Sequence, residues 1–123
     1  MLAQQQLVAF VAARDATRAR SFYAEVLGLS LVSDDPYAIV FNANGTTLRI
    51  QKVDDFKPQQ FTALGWTVSD IEKTIDALAK HQLNMDRFPG MDQDKRGIWR
   101  SPSGARVAWF KDPDGNTLSL TEL

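Results

Sequence analysis

DGNTLSL, residues 114–120, is an acidic glycine turn running into a short strand, and a near-copy stands 70 residues earlier as NGTTLRI, residues 44–50. At this one offset Asn44 answers to Asp114, Gly45 to Gly115, Thr47 to Thr117 and Leu48 to Leu118. A tight turn needs residues that tolerate positive φ, and the alternation after it has the period of a half-buried strand. Working outward, YAIVFNANGTTLRIQKV (37–53) reads as a hairpin about Asn44-Gly45. ARVAWF (105–110) and NTLSLTE (116–122) read as a second hairpin about Asp112-Pro113-Asp114-Gly115. Asp112 and Asp114 are expected to bond the turn's own backbone.

The two copies extend further. QLVAFVA (6–12) and FTALGWTV (61–68) are apolar runs with strand character, each followed by an aspartate suited to cap a helix, Asp15 and Asp70. Ala19, Phe22, Tyr23, Val26 and Leu27 recur at helical spacing, with Gly28 placed just past the helix end. In the second copy Ile71, Ile75 and Leu78 mark a buried helix face, and Ser69 and Glu72 have the spacing of a capping box. LSLVS (29–33) and LNMDRF (83–88) are strand candidates, IWRS (98–101) is a short extended piece, and PGMDQDKRG (89–97) is the longest irregular stretch. The order strand–helix–three strands therefore occurs twice, and a duplicated βαβββ unit explains both signals together. The expected fold class is α+β: tandem βαβββ modules, about residues 1–55 and 56–123, forming one curved, mostly antiparallel sheet with the helices on its convex side.

Composition narrows the function. The 123 residues are 44% hydrophobic and 24% charged, with a formal net charge of −1, so no basic surface argues for nucleic acid. The N-terminal apolar run is short and is followed at once by Arg14 and Asp15, so neither a signal peptide nor a membrane span is expected. A cytoplasmic protein is expected. Cysteine is absent, removing disulfides, thiolate nucleophiles and cysteine-bound zinc together. The single histidine, His81, falls near the end of the second helix, where it is expected to cap carbonyls and meet the helix dipole.

ARDATRARSFYAEVLGLSL, with Phe22-Tyr23 and Leu27-Gly28-Leu29 after a capping aspartate, resembles the first helix of the vicinal oxygen chelate superfamily. That superfamily holds glyoxalase I, bleomycin-resistance proteins and extradiol dioxygenases. VAWFKDPDGNTLSL resembles its C-terminal signature and LGWTVSDIEKTIDAL its second helix entry. The resemblance implies a homodimer. For its metalloenzymes it also implies a divalent ion held by His or Glu on the first and last strands of the modules. Those places fall here on Val8, Arg49, Ala63 and Ser119. Two of these have no donor, one carries a fixed positive charge and one a neutral hydroxyl, whereas transition-metal sites need imidazole or carboxylate. No metal or other cofactor is expected, and metal-dependent glyoxalase or dioxygenase chemistry is disfavoured.

Parity along the strands predicts a small-molecule cavity instead. With Leu48 and Ile50 facing the helices, Thr47, Arg49 and Gln51 face the concave side, together with Val8, Phe10, Ala63, Gly65, Thr117, Ser119 and Thr121. Trp99, Trp109 and Lys111 stand near its rim, their side open, while Trp66 reads as core packing beneath the helices. The expected ligand-binding set is Arg49, Gln51, Ser119, Phe10, Thr117, Trp99, Trp109 and Lys111. The reading is a metal-independent binding protein resembling the bleomycin-resistance branch. Its alternative is a glyoxalase-like enzyme of lyase, isomerase or dioxygenase type, acting on a small anionic substrate held by Arg49.

Overall fold

The computed structural model describes all 123 residues, which divide into two compact units, Met1–Pro58 and Gln59–Leu123. The first unit runs β1 (Val8–Ala13), α1 (Ala16–Ser21), β2 (Ser30–Asp34), β3 (Ala38–Ala43) and β4 (Thr46–Lys52). The second runs β5 (Thr62–Thr67), α2 (Ile71–Ala79), β6 (Trp99–Arg100), β7 (Arg106–Lys111) and β8 (Thr117–Glu122). Hydrogen bonding closes each unit into its own four-stranded sheet, ordered β1-β4-β3-β2 and β5-β8-β7-β6. In each, the first strand runs parallel to the last and the other pairings are antiparallel. The identical order is what a duplicated βαβββ unit produces.

The turns explain why the copies match. Asn44 and Gly45 both take positive φ, 51° and 92°, and Gly115 repeats the value at 91°. A side chain beyond Asn or Gly would be strained there. Helix starts match as well: Asp15 accepts from the Arg18 N–H and Asp70 from the Lys73 N–H, both at 3.1 Å. The expected capping box does not form. Ser69 stands outside the helix, and the Glu72 carboxylate turns to the guanidinium groups of Arg96 and Arg106, each at 3.4 Å. Two cations offer a carboxylate more than one backbone amide does. The Ile71 N–H is met instead by the Glu122 carboxylate at 2.9 Å.

Helix α1 does not continue as an α-helix to residue 27. From Phe22 to Val26 it widens into a π-turn, and the Leu27 N–H reaches the Phe22 carbonyl at 3.0 Å. Phe22 and Tyr23 are buried there, their rings edge to face at 5.3 Å, and Tyr23 lies 6.1 Å from Phe41. This seats the helix on the face of its sheet that holds Ile39, Phe41, Leu48 and Ile50, all essentially inaccessible. In the second unit Ile71, Ile75 and Leu78 are buried as expected, with Ala108, Phe110, Leu118 and Leu120 making the sheet's covered face. Trp66 pairs in register with Leu120 on that side and is half-buried.

LNMDRF is not a strand. Asp86 gives β7 one backbone bond, its N–H to the Trp109 carbonyl at 2.6 Å, and the edge strand is the short IWRS piece instead. The reason lies in the neighbouring stretch, which is ordered rather than loose. The Gln93 amide donates to the carbonyls of Asp86 and Gly97 at 2.9 and 2.8 Å and accepts from the Phe88 N–H at 2.8 Å. Arg87 donates to the carbonyls of Asp94 and Lys95, each at 2.6 Å. Backbone groups that a ladder would have used are thus satisfied locally.

One charge cluster makes a pH-dependent contribution. Asp34 on β2 meets Lys52 at 2.6 Å and Arg20 at 2.9 Å, and these two cations hold its carboxyl below the ordinary range. A lowered carboxyl stabilises the fold above its unfolded pKa and loses that contribution as pH falls through the folded one. Asp34→Asn should therefore be less stable than the parent at pH 7, with the gap closing in acid once the carboxyl is protonated in the folded state too. Urea melts at pH 7 and in acid measure it, and an equal gap at both would remove the linkage.

Candidate functional site

Each sheet has one face covered by its helix and one open face, and the expected binding residues fall mostly on the open faces. In the first unit Arg49 lies in register with Phe10 on β1 and Val40 on β3, and Gln51 with Ala12 and Ala38. Arg49 is half-buried, Gln51 is exposed, and Phe10 is 56% exposed despite its size. Arg49 makes no ion pair and no side-chain hydrogen bond. The nearest expression of its charge is on Asp35, whose carboxyl is lowered first by the backbone N–H groups of Tyr37 and Ala38 and then by the Arg49 and Lys52 charges.

In the second unit the ladder settles where the tryptophans point. Trp109 stands opposite Ser119, and Trp99 opposite Val107, which stands opposite Thr121. Side chains directly across an antiparallel ladder share a face, so Trp99, Trp109, Ser119 and Thr121 all lie on the open side. The indole rings sit 6.1 Å apart, and Phe88 meets Trp109 edge to face at 5.5 Å. The Trp109 indole N–H donates to the Thr62 hydroxyl at 3.1 Å. Lys111 forms an ion pair with Asp86, and its ammonium stands 5.9 Å from the centre of the Phe88 ring. Thr117 shares the parity of Ser119 but is buried, 6% exposed.

Two features escaped the sequence. A bulge between Thr62 and Leu64 leaves Ala63 out of register and brings Thr62 opposite Thr117. Thr62, not Ala63, thus supplies the side chain that meets Trp109. Phe88 and Asp86 belong to the site only because Gln93 folds their segment back against β7. A strand breaker such as Pro89, with glycines at 90 and 97, was the signal available.

His81 does not take part. Its backbone N–H closes the end of α2 on the Leu78 carbonyl at 3.0 Å, while its side chain is exposed and makes no hydrogen bond. Other hollows are charged and already neutralised. One of about 510 Å³ in the first unit is lined by the linked Arg20, Asp34 and Lys52. Another of about 240 Å³ in the second unit is lined by Asp92, Asp94, Ile98, Arg100 and Arg106, and Arg106 is paired with Glu72 and Glu122.

A family model described as Glyoxalase/Bleomycin resistance protein/Dioxygenase superfamily matches residues 5–120. The chain belongs to this superfamily. Its fold is similar to that of lactoylglutathione lyase from Agrobacterium tumefaciens, with a TM-score of 0.74 at 17% identity over 96% of this chain and 93% of that one. It is also similar to a fosfomycin resistance protein from Listeria monocytogenes, with a TM-score of 0.77 at 10% identity over 98% and 93%. An antibiotic binding protein from Streptomyces gives a TM-score of 0.67 at 23% identity over 97% of each chain. No curated protein matches the chain in sequence. No helix is long and apolar enough to cross a membrane.

The metal of the superfamily's metalloenzymes can be tested against the residues present. Val8 lies beside Thr47, Arg49 beside Phe10, and Ser119 beside Gly65, with Ala63 in the bulge. No group of three or more His, Asp or Glu side chains is gathered as metal ligands. The residues do not fit such an ion.

Proposed function

We propose that this superfamily member is a metal-independent small-molecule binding protein whose ligand rests on the open face of the second unit's sheet. The observation that carries the reading is the aromatic cluster of Trp99, Trp109 and Phe88, placed on the side of its sheet away from α2. A fold needs such rings in its core, yet here the core is filled from the other face. Connected aromatics held by one indole hydrogen bond and by ring contacts, and left half-exposed, have the make-up of a ligand wall. The similarity in fold to an antibiotic binding protein and to a fosfomycin resistance protein supports binding of a small molecule without naming one. A thermal-shift screen of metabolites and antibiotics tests this, since a ligand raises apparent stability by mass action. Chelator should leave the melting temperature unchanged, and metal-free purification should give well under one transition-metal ion per chain. One tightly held ion, lost together with stability on chelation, would defeat the reading.

On the open face of the first unit's own sheet, Arg49 favours a ligand with an anionic group. A half-buried guanidinium without an ion pair in its own unit is free to take a carboxylate by a two-pronged bond. Arg49→Ala should weaken an anionic ligand by about 1.5–3 kcal/mol, roughly 10- to 150-fold, and should leave folding intact. Calorimetric titration of parent and variant measures this. Equal affinity in both would assign Arg49 to another role, and turnover of the bound compound would favour an enzyme acting on a small anionic substrate.

A further inference from the structure

Resting on that reading, we propose that the second unit's open face takes a flat, uncharged aromatic ring system bearing a hydroxyl, laid on a floor made by Gly65 and Ser119. Gly65 and Ser119 are neighbours in the parallel ladder, and a Cβ at position 65 would collide with the Ser119 hydroxyl. The floor is therefore bare backbone with one hydroxyl drawn across it, and only a thin, planar group can approach closely. Trp109, directly across the ladder from Ser119, rises beside this floor. Its indole is held in place by the hydrogen bond to Thr62 and by the Phe88 edge, so little ordering is left to be done on binding.

Trp99 and Trp109 already touch at an interplanar angle of 37°, which leaves no slot between them. A ligand ring lies against the indole wall instead of between two rings. Ser119 is half-buried and its hydroxyl has no partner within the protein, so it can both donate and accept toward a ligand hydroxyl. Charge selects further. The cation beside this face, Lys111, is committed to Asp86, so the pair offers no net charge to an ionic group.

Isothermal titration with 1-naphthol, naphthalene and decahydro-1-naphthol tests the assignment. The flat alcohol should bind at least tenfold more tightly than its saturated counterpart. Ser119→Ala should weaken 1-naphthol severalfold and leave naphthalene unchanged. The double variant Gly65→Ala/Ser119→Ala should lose both aromatic compounds while melting near the parent, because removing the hydroxyl relieves the collision and the new methyl fills the floor. If the double variant fails to fold, the Ser119→Ala comparison decides alone. Equal binding of the saturated alcohol, an unchanged 1-naphthol affinity in Ser119→Ala, or no binding of 1-naphthol would overturn the proposal. If another compound from the screen still stabilises the protein, only the aromatic assignment falls. If none of any class does, the small-molecule reading falls with it.

Discussion

Phe41→Ala should destabilise the protein by about 3–5 kcal/mol, the usual cost of emptying an aromatic site in a packed core. Phe41 is wholly inaccessible, pairs in register with Leu48 and lies against Tyr23 from the π-turn after α1. It is the place where the helix of the first unit meets its sheet. The loss is large against a typical total of about 5–15 kcal/mol, and the melting temperature should fall by on the order of 15 °C. Phe41→Leu, which keeps most of the volume, should lose much less. Chemical denaturation of the three proteins gives the comparison, and a loss below about 1 kcal/mol for alanine would mean that helix and sheet are not closely packed there.

The second large effect is expected at Asp112. Its carboxylate is buried, and one oxygen accepts from the N–H groups of Asp114 and Asn116 at 3.0 and 2.9 Å while the other accepts from the Asn116 side chain at 2.8 Å. Hydrogen bonds to a charged group contribute more than neutral ones, and donors left buried without an acceptor add their own penalty. Asp112→Ala should cost about 3–4 kcal/mol, near the upper end for one substitution. Asp112→Asn keeps an oxygen for the two backbone donors but sets an amide against the Asn116 amide, so it should fall between. Amide exchange localises the damage: residues 112–116 should lose protection first in the alanine variant. Protection unchanged at the turn would show that the carboxylate does not organise it.

The Asp112 turn was readable from the sequence, and so was the helix face that meets Phe41, though not Phe41 itself. The Asp-Pro-Asp-Gly turn announces an aspartate that bonds its own backbone, because a short carboxylate next to a chain reversal has few other donors in reach. Phe22-Tyr23 at helical spacing announces a packed face. The repeat of turn and strand at one offset, and the capping aspartates Asp15 and Asp70, were enough for a twice-used βαβββ order, since caps, turns and alternation are local properties of the chain. The same alternation put Leu48 and Ile50 inside and Arg49 outside, as found.

What depended on side chains arriving from other segments could not be read that way. LNMDRF has strand composition, but Gln93 takes the carbonyl and amide groups its segment would have given to a sheet. Ser69 and Glu72 have the spacing of a capping box, but Arg96 and Arg106 arrive from other segments and claim the carboxylate. A one-residue bulge near Ala63 changes which residue faces Trp109, because side-chain direction in a strand depends on register and register belongs to the pair of strands. The sides of Trp99 and Trp109 were equally open until β6, β7 and β8 were in register, which brought both indoles onto one face with Ser119. The chain alone thus determined the repeated unit, its turns and its caps. Tertiary pairing decided which aromatic rings meet, since that is fixed by partners far away in sequence.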